Sequence, residues 1–261
     1  MLPIFAHALL LLPIMKAMKI IISPAKKMKL CEDHDFPLST PVFMEEHDTL
    51  FQVLVSKSYE ELFKLYSCSL RTFNPVYEEL QRQKAGIFPP VSPALLSYDG
   101  IAFRYMAPDV FDDTQWDYIC RHLRILSAMY GILKPLDGVV PYRLEMQQKL
   151  PFSLYDFWGS KLKEELEDEV IVNLASKEYS RCIGAFQAMI TPRFFELENG
   201  MRKEKGVYAK MARGAMVRWM AEHQIEDWHD LKDFQELGYH FDPESSDSST
   251  LVFIRKEGSH A

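Results

Sequence analysis

The sequence predicts an α+β (mixed α/β) fold: a single domain with an irregular mixed sheet flanked by helices. Three observations predict it. Short β-branched runs at Lys19–Ser23 and Val170–Asn173 read as buried strands. Longer segments carry apolar residues at helical spacing. The two kinds interleave without regular alternation, and no boundary has the composition of a linker. A chain of 261 residues with 48% hydrophobic residues has enough material for one large core.

The elements follow in chain order. Leu2 to Met15 is apolar but shorter than the roughly 20 residues that span a bilayer. It holds two prolines and has no Lys or Arg ahead of the apolar run, unlike a signal peptide. Residues 1–17 therefore read as an N-terminal extension, with 18–261 as the single domain; a targeting segment is the rival reading. Lys19 to Ser23 is a strand closed by Pro24. Leu50, Val53 and Leu54 give Val42–Ser56 a helical pattern. Ser58 with Glu61 forms a capping box for a second helix, and a third follows Ser69 to about Gln81. Gly86 to Pro93 reads as a loop.

Thr114 to Tyr130 reads as the clearest helix, with Trp116, Ile119, Leu123, Leu126 and Tyr130 on one face and Gly131 as the stop. On such a helix Arg121 and Arg124 are surface neighbours. Val139 to Leu150 reads as extended and Ser153 to Glu167 as an amphipathic helix. Ser176 caps a helix after the strand at Val170. Two extended runs flank Asn199-Gly200, a hairpin signal. Tyr208 to Gln224 is helical, and Gly238–Asp242 pairs with Leu251–Arg255.

The net charge of −7 argues against a protein that coats nucleic acid with its whole surface. The charge is sorted, however. Arg193 to Arg218 holds seven Lys/Arg and three acids, whereas Glu222 to Thr250 holds nine acids and one Lys. Cys31, Cys68, Cys120 and Cys182 are widely spaced, as expected of reduced thiols. Cys31 with His34 is too small a set for a metal site, so neither metal nor cofactor is expected.

Several segments place a cation beside a backbone-shaping residue. Ser23-Pro24-Ala25-Lys26-Lys27 follows a strand end and reads as an anion contact or a solvated basic turn. In Pro141–Met146, Arg143 and Glu145 share one face, as a structural ion pair or as a phosphate contact oriented by Glu145. Ser176-Lys177 opens a helix, where capping alone accounts for the serine. Lys210 and Arg213 share a helix face beside Gly214, which signals close approach by another element or by a ligand. Arg218 lies on the side of Gly214. His122, His223 and His229 read as surface or packing residues. No catalytic motif is present, and Asp137 and Glu145 are the only pointers to an acid, a base or a metal ligand.

Taken together, Ile22–Met28, Tyr130–Gly138, Pro141–Met146, Asn173–Tyr179 and Tyr208–Gly214 resemble the YaaA family of peroxide-stress proteins, from about Met18 to about Lys256. The resemblance implies a cytosolic (cytoplasmic) protein that limits free iron and so oxidative DNA damage. It implies binding of duplex or structurally altered DNA through a basic cleft, with no membrane partner. The cations within the matching segments are Lys26, Lys27, Arg143, Lys177, Lys210 and Arg213. It also implies a helix-hairpin-helix element, which falls near Ser58–Gln81. There the turn Tyr66-Ser67-Cys68-Ser69 lacks the usual glycine, and Arg71 is the only nearby Arg. The alternative is an enzyme on a nucleotide or nucleic-acid phosphate, with Asp137 or Glu145 doing the chemistry.

Overall fold

In a computed structural model, the described residues are 18–166, 170–184, 186 and 188–256. The extension expected at residues 1–17 lies outside them. One sheet organises the chain. Its strands are β1 (Met18–Ile22), β2 (Leu123–Ser127), β3 (Gly131–Leu133), β4 (Val170–Leu174), β5 (Met189–Glu198), β6 (Met201–Lys203), β7 (His240–Phe241) and β8 (Thr250–Lys256). The spatial order is β7-β8-β5-β4-β1-β2-β3, with β6 also on β5. The five inner strands from β2 to β8 run parallel, and β3, β6 and β7 add antiparallel edges.

That arrangement explains why β1 reads Met-Lys-Ile-Ile-Ile with no polar alternation. A central parallel strand is covered on both faces, and Ile20, Ile21 and Ile22 are all buried. The hairpin between β5 and β6 turns at Asn199 and Gly200, both with positive φ, as the dipeptide predicts.

The helices are α1 (Met44–Val55), α2 (Tyr59–Tyr66), α3 (Leu70–Lys84), α4 (Ile101–Met106), α5 (Asp113–His122), α6 (Leu154–Trp158) and α7 (Gly206–Glu222). The Ser58–Glu61 capping box opens α2 with both of its hydrogen bonds made. Ser67, in the left-handed region at φ 44°, turns the chain from α2 towards α3. Tyr59, Phe63, Tyr66, Phe73 and Tyr77 make ring contacts that hold the two helices together.

Two expected helices are corrected. Thr114–Tyr130 is not one helix: α5 ends at His122 and Leu123 begins β2. Leu123 and Leu126 fit a helical face, but Leu123-Arg-Ile-Leu-Ser also fits a strand beside β1, and sheet burial decides between them. Arg121 and Arg124 are consequently not helix neighbours; Arg121 reaches Glu226 at 2.9 Å, and Arg124 bonds the carbonyl of Leu123 at 2.7 Å. Ser153–Glu167 is likewise broken. Gly159, at φ 48°, ends α6, and a separate one-turn helix at Lys161–Glu164 follows; Glu167 lies outside the described residues. Val139 is the last paired residue of its stretch, and the chain beyond it runs unpaired before turning at Met146-Gln147.

Candidate functional site

The carboxyl ends of β1 and β4 form the floor of a cleft. These strands are parallel neighbours, yet the chain leaves β1 towards β2 and leaves β4 towards β5 on the opposite side. Such a divergence opens a crevice between two strand ends, the usual place for ligands on a parallel sheet. Ser23 and Ser176 stitch the crevice floor. Ser176 donates its backbone N–H to Ser23 Oγ at 2.8 Å, and the two hydroxyls lie 3.1 Å apart. Ser176 thus precedes the turn Lys177–Ser180 in the capping position, but its side chain makes no capping bond. The capping role expected of it is replaced by this cross-strand link.

The cleft has a volume of about 340 Å³. Lys26, Lys27, Arg143, Lys210 and Arg213 line it, together with Asp99, Glu145 and Glu178. Five of the six cations picked from sequence therefore meet in one place. Lys177 does not: it is exposed on the short turn beyond Ser176 and is not part of the cleft wall.

Each element delivers its cation for a local reason. The Ser23–Lys27 loop is pinned by a two-residue antiparallel ladder between Lys27–Met28 and Tyr98–Asp99. Gly100 lets that loop come close, since a Cβ there would lie 2.6 Å from the Ala25 Cβ. Gly214 serves α7 in the same way. A Cβ on it would lie 1.9 Å from the carbonyl oxygen of Ala102 in α4, so the glycine marks helix–helix contact rather than ligand contact. That contact fixes Lys210 and Arg213 against the cleft. Arg218 instead bonds Glu222 at 2.6 Å outside the cleft.

The charges are only partly compensated. Lys26 and Arg143 both reach Glu145, the latter at 3.4 Å. Lys27 and Arg104 converge on Asp99 at 2.6 and 2.8 Å and hold its carboxyl below the usual carboxylate range. Arg213 lies 3.8 Å from Glu204, at the limit of an ion pair, and burial pushes its guanidinium below the ordinary value. The Arg143 and Arg213 side chains are 12% and 18% exposed, and the Nε of each is buried with no hydrogen-bond partner among the described residues. A buried donor without a partner costs about 1–3 kcal/mol, so two in one cleft need an explanation beyond folding.

Asp137 does not line the cleft. It is buried, accepts from Ser39 at 2.6 Å and from the Lys134 N–H at 2.8 Å, and shapes the loop before Gly138. His122 is buried against the Met18 carbonyl, a packing role.

Sequence reasoning missed the tyrosines behind the cleft. Tyr142 bonds Ser127 at 2.6 Å and Tyr98 at 2.9 Å, and burial raises its hydroxyl to about 12. Its position next to Arg143 was the available signal.

A family model described as peroxide stress protein YaaA matches residues 18–245. The chain is 48% identical over 248 residues to a UPF0246 protein of Desulfitobacterium hafniense, covering 91% of this chain and 98% of that one. It is 45% identical to a UPF0246 protein of Agathobacter rectalis, with 92% and 99% coverage. A third, from Lactiplantibacillus plantarum, is 44% identical, with 91% and 99% coverage.

Proposed function

The chain belongs to the peroxide stress protein YaaA family, and from that premise we propose that it acts in the stress response by gripping DNA phosphates in the cleft between β1 and β4. One observation carries this: Lys26, Lys27, Arg143, Lys210 and Arg213 converge there while Arg143 and Arg213 keep buried N–H donors unused. A phosphate supplies the acceptors that those donors lack, and guanidinium suits its geometry. The net charge of −7 disfavours binding over the whole surface. The α2–α3 pair is the part of the fold that the helix-hairpin-helix expectation concerns. Its turn at Ser67–Ser69 carries no glycine and no residue of the pair lines the cleft, so in this proposal it does not lead the binding.

Fluorescence anisotropy with labelled duplex DNA across a salt series tests the proposal. Log affinity should fall by about 0.9 per log salt for each phosphate neutralised. Lys210→Ala/Arg213→Ala should weaken binding and flatten that slope. Binding that ignores salt or ignores the substitutions overturns the proposal. A protein seated on phosphates also competes with Fe²⁺ for the same anions, which gives a physical route to limiting iron-dependent damage. Nicking of plasmid DNA by Fe²⁺ and peroxide should then fall with the wild type and not with the double variant.

Glu145 favours a second reading, an enzyme on a nucleotide phosphate, because Lys26 and Arg143 both hold its carboxylate at the cleft wall. Phosphate release from nucleotides, abolished by Glu145→Gln, would support it; no release from any nucleotide tested would discard it.

A further inference from the structure

A second cavity, of about 470 Å³, lies against the cleft. The two share Lys26, Lys27, Tyr142 and Arg143 as a common wall. On its far side the cavity is closed by α1 through Phe51 and Leu54 and by α3 through Val76 and Leu80. Its size falls within the range of about 300–1,000 Å³ that holds small ligands. It is mostly apolar, but the polar groups in it are incompletely used. Gln83 donates to Glu79 at 3.0 Å and to the Pro141 carbonyl at 3.2 Å, and its own carbonyl oxygen has no donor among the described residues. The Tyr66 hydroxyl has no hydrogen-bond partner among the described residues, although the residue is buried.

We infer that one nucleotide unit binds across this wall, with its base in the apolar cavity, its phosphate in the basic cleft and Arg143 between them. The inference rests on the phosphate reading of the cleft and names what is attached to that phosphate. A base fits the cavity's chemistry better than an acyl chain does. It has flat apolar faces for Leu54, Val76 and Leu80, and it has a polar edge for Gln83, Glu79 and Tyr66. An acyl chain would cover the Gln83 carbonyl oxygen and the Tyr66 hydroxyl without giving them partners, which is costly. The rigid aromatic contacts between α2 and α3 keep the cavity roof in place.

A base stacked in a duplex cannot enter such a cavity. It must leave the stack, at a cost of a few kcal/mol that is smallest for unpaired or damaged positions. The same nucleotide chemistry comes from two sources, an extrahelical position in DNA and a free nucleotide, and the experiment separates them.

Binding is measured for three probes: a fully paired duplex, the same duplex with one unpaired 2-aminopurine nucleotide, and free dAMP. The wild type should bind the unpaired duplex at least tenfold more tightly than the paired one, with increased 2-aminopurine fluorescence as the base leaves the stack. Val76→Trp fills the cavity and should bring the ratio of the two affinities to about one. Gln83→Leu, of similar volume, should lower the ratio several-fold and guards against misfolding of the tryptophan variant; circular dichroism checks both. A ratio unchanged in both folded variants overturns the inference while leaving the duplex proposal standing. Equal affinity for both duplexes and no dAMP binding overturns it too. If dAMP binds and neither duplex does, the nucleotide site stands with a free nucleotide as its ligand and the DNA proposal fails. If none of the three probes binds, both fall.

Discussion

Two clusters of buried charge sit in this molecule and they are built differently. Towards the β7 edge, Arg255 and Glu196 form a pair at 2.6 Å, both almost fully buried. Tyr239 donates to the same carboxylate at 2.5 Å, and the Arg255 guanidinium lies 4.2 Å from the centre of the Tyr208 ring. Among the described residues, no buried side-chain polar atom of that cluster lacks a partner. In the cleft between β1 and β4, by contrast, Lys26 and Lys27 are closely paired but Arg143 and Arg213 lie 3.4 and 3.8 Å from their carboxylates, and a guanidinium donor of each is idle among the described residues. A closed cluster fixes the fold; an open one at a strand-end crevice leaves donors that an anion could use. The same residue types, Arg and Glu, thus form a closed pair in one place and, on the proposed reading, a phosphate site in the other, and the difference lies in whether the buried donors are satisfied.

The comparison can be broken most directly at Arg255. Arg255→Ala leaves Glu196 buried and uncompensated, and unfolding by denaturant should show a loss of about 3–5 kcal/mol. A loss below about 1 kcal/mol would mean that the closed cluster is not structural. Gly214→Ala comes next. Its Cβ would collide with the Ala102 carbonyl, so about 1–3 kcal/mol should be lost as α7 and α4 separate. Because that separation moves Lys210 and Arg213, anisotropy should show weaker DNA binding although no charge has changed.

Arg213→Leu sharpens the contrast with Arg255. Removing a half-satisfied buried charge in favour of an apolar side chain should change stability by less than about 1 kcal/mol. Phosphate affinity should nevertheless fall about tenfold, equivalent to about 1.4 kcal/mol. A stability loss as large as that of Arg255→Ala would make the two clusters alike.

The smallest expected effect concerns His47, at the edge of the apolar cavity. Burial lowers its pKa below the usual histidine value of 6.5, and the Asp48 carboxylate opposes this only in part. The unfolded chain therefore binds the proton more readily. Stability is complete above the ordinary histidine pKa and is lost as pH falls through it towards the folded value. Thermal unfolding between pH 7.5 and 5 should show this slope, and His47→Gln should remove its share.

Much of the fold was legible because it is local. The Ser58–Glu61 box, the Asn199-Gly200 turn and the isoleucine run of β1 each carry their own instructions. The helix expected over Thr114–Tyr130 failed because Leu123 and Leu126 satisfy both periods, and only the neighbouring strand β1 selects one. The break at Gly159 is a single left-handed residue inside an otherwise helical pattern. For the site, the cation types were readable but their convergence was not. Ser23 and Ser176 lie far apart in sequence and meet only through strand order, and Lys177, beside a true cleft residue, turns out to stand away from it. The apolar cavity left no motif, since its lining residues look like ordinary helix faces.

The position of β1 at the centre of the sheet has a kinetic consequence. Its partners β2 and β4 begin about 100 and about 150 residues further along the chain, so neither flank can be zipped up from a nearby turn. Until both arrive, Ile20-Ile21-Ile22 is an uncovered β-prone segment. Folding of this chain should therefore be slow for its size, with its aggregation hazard concentrated early, and a helper that shields the first strand should raise the yield more than one that acts on any later segment.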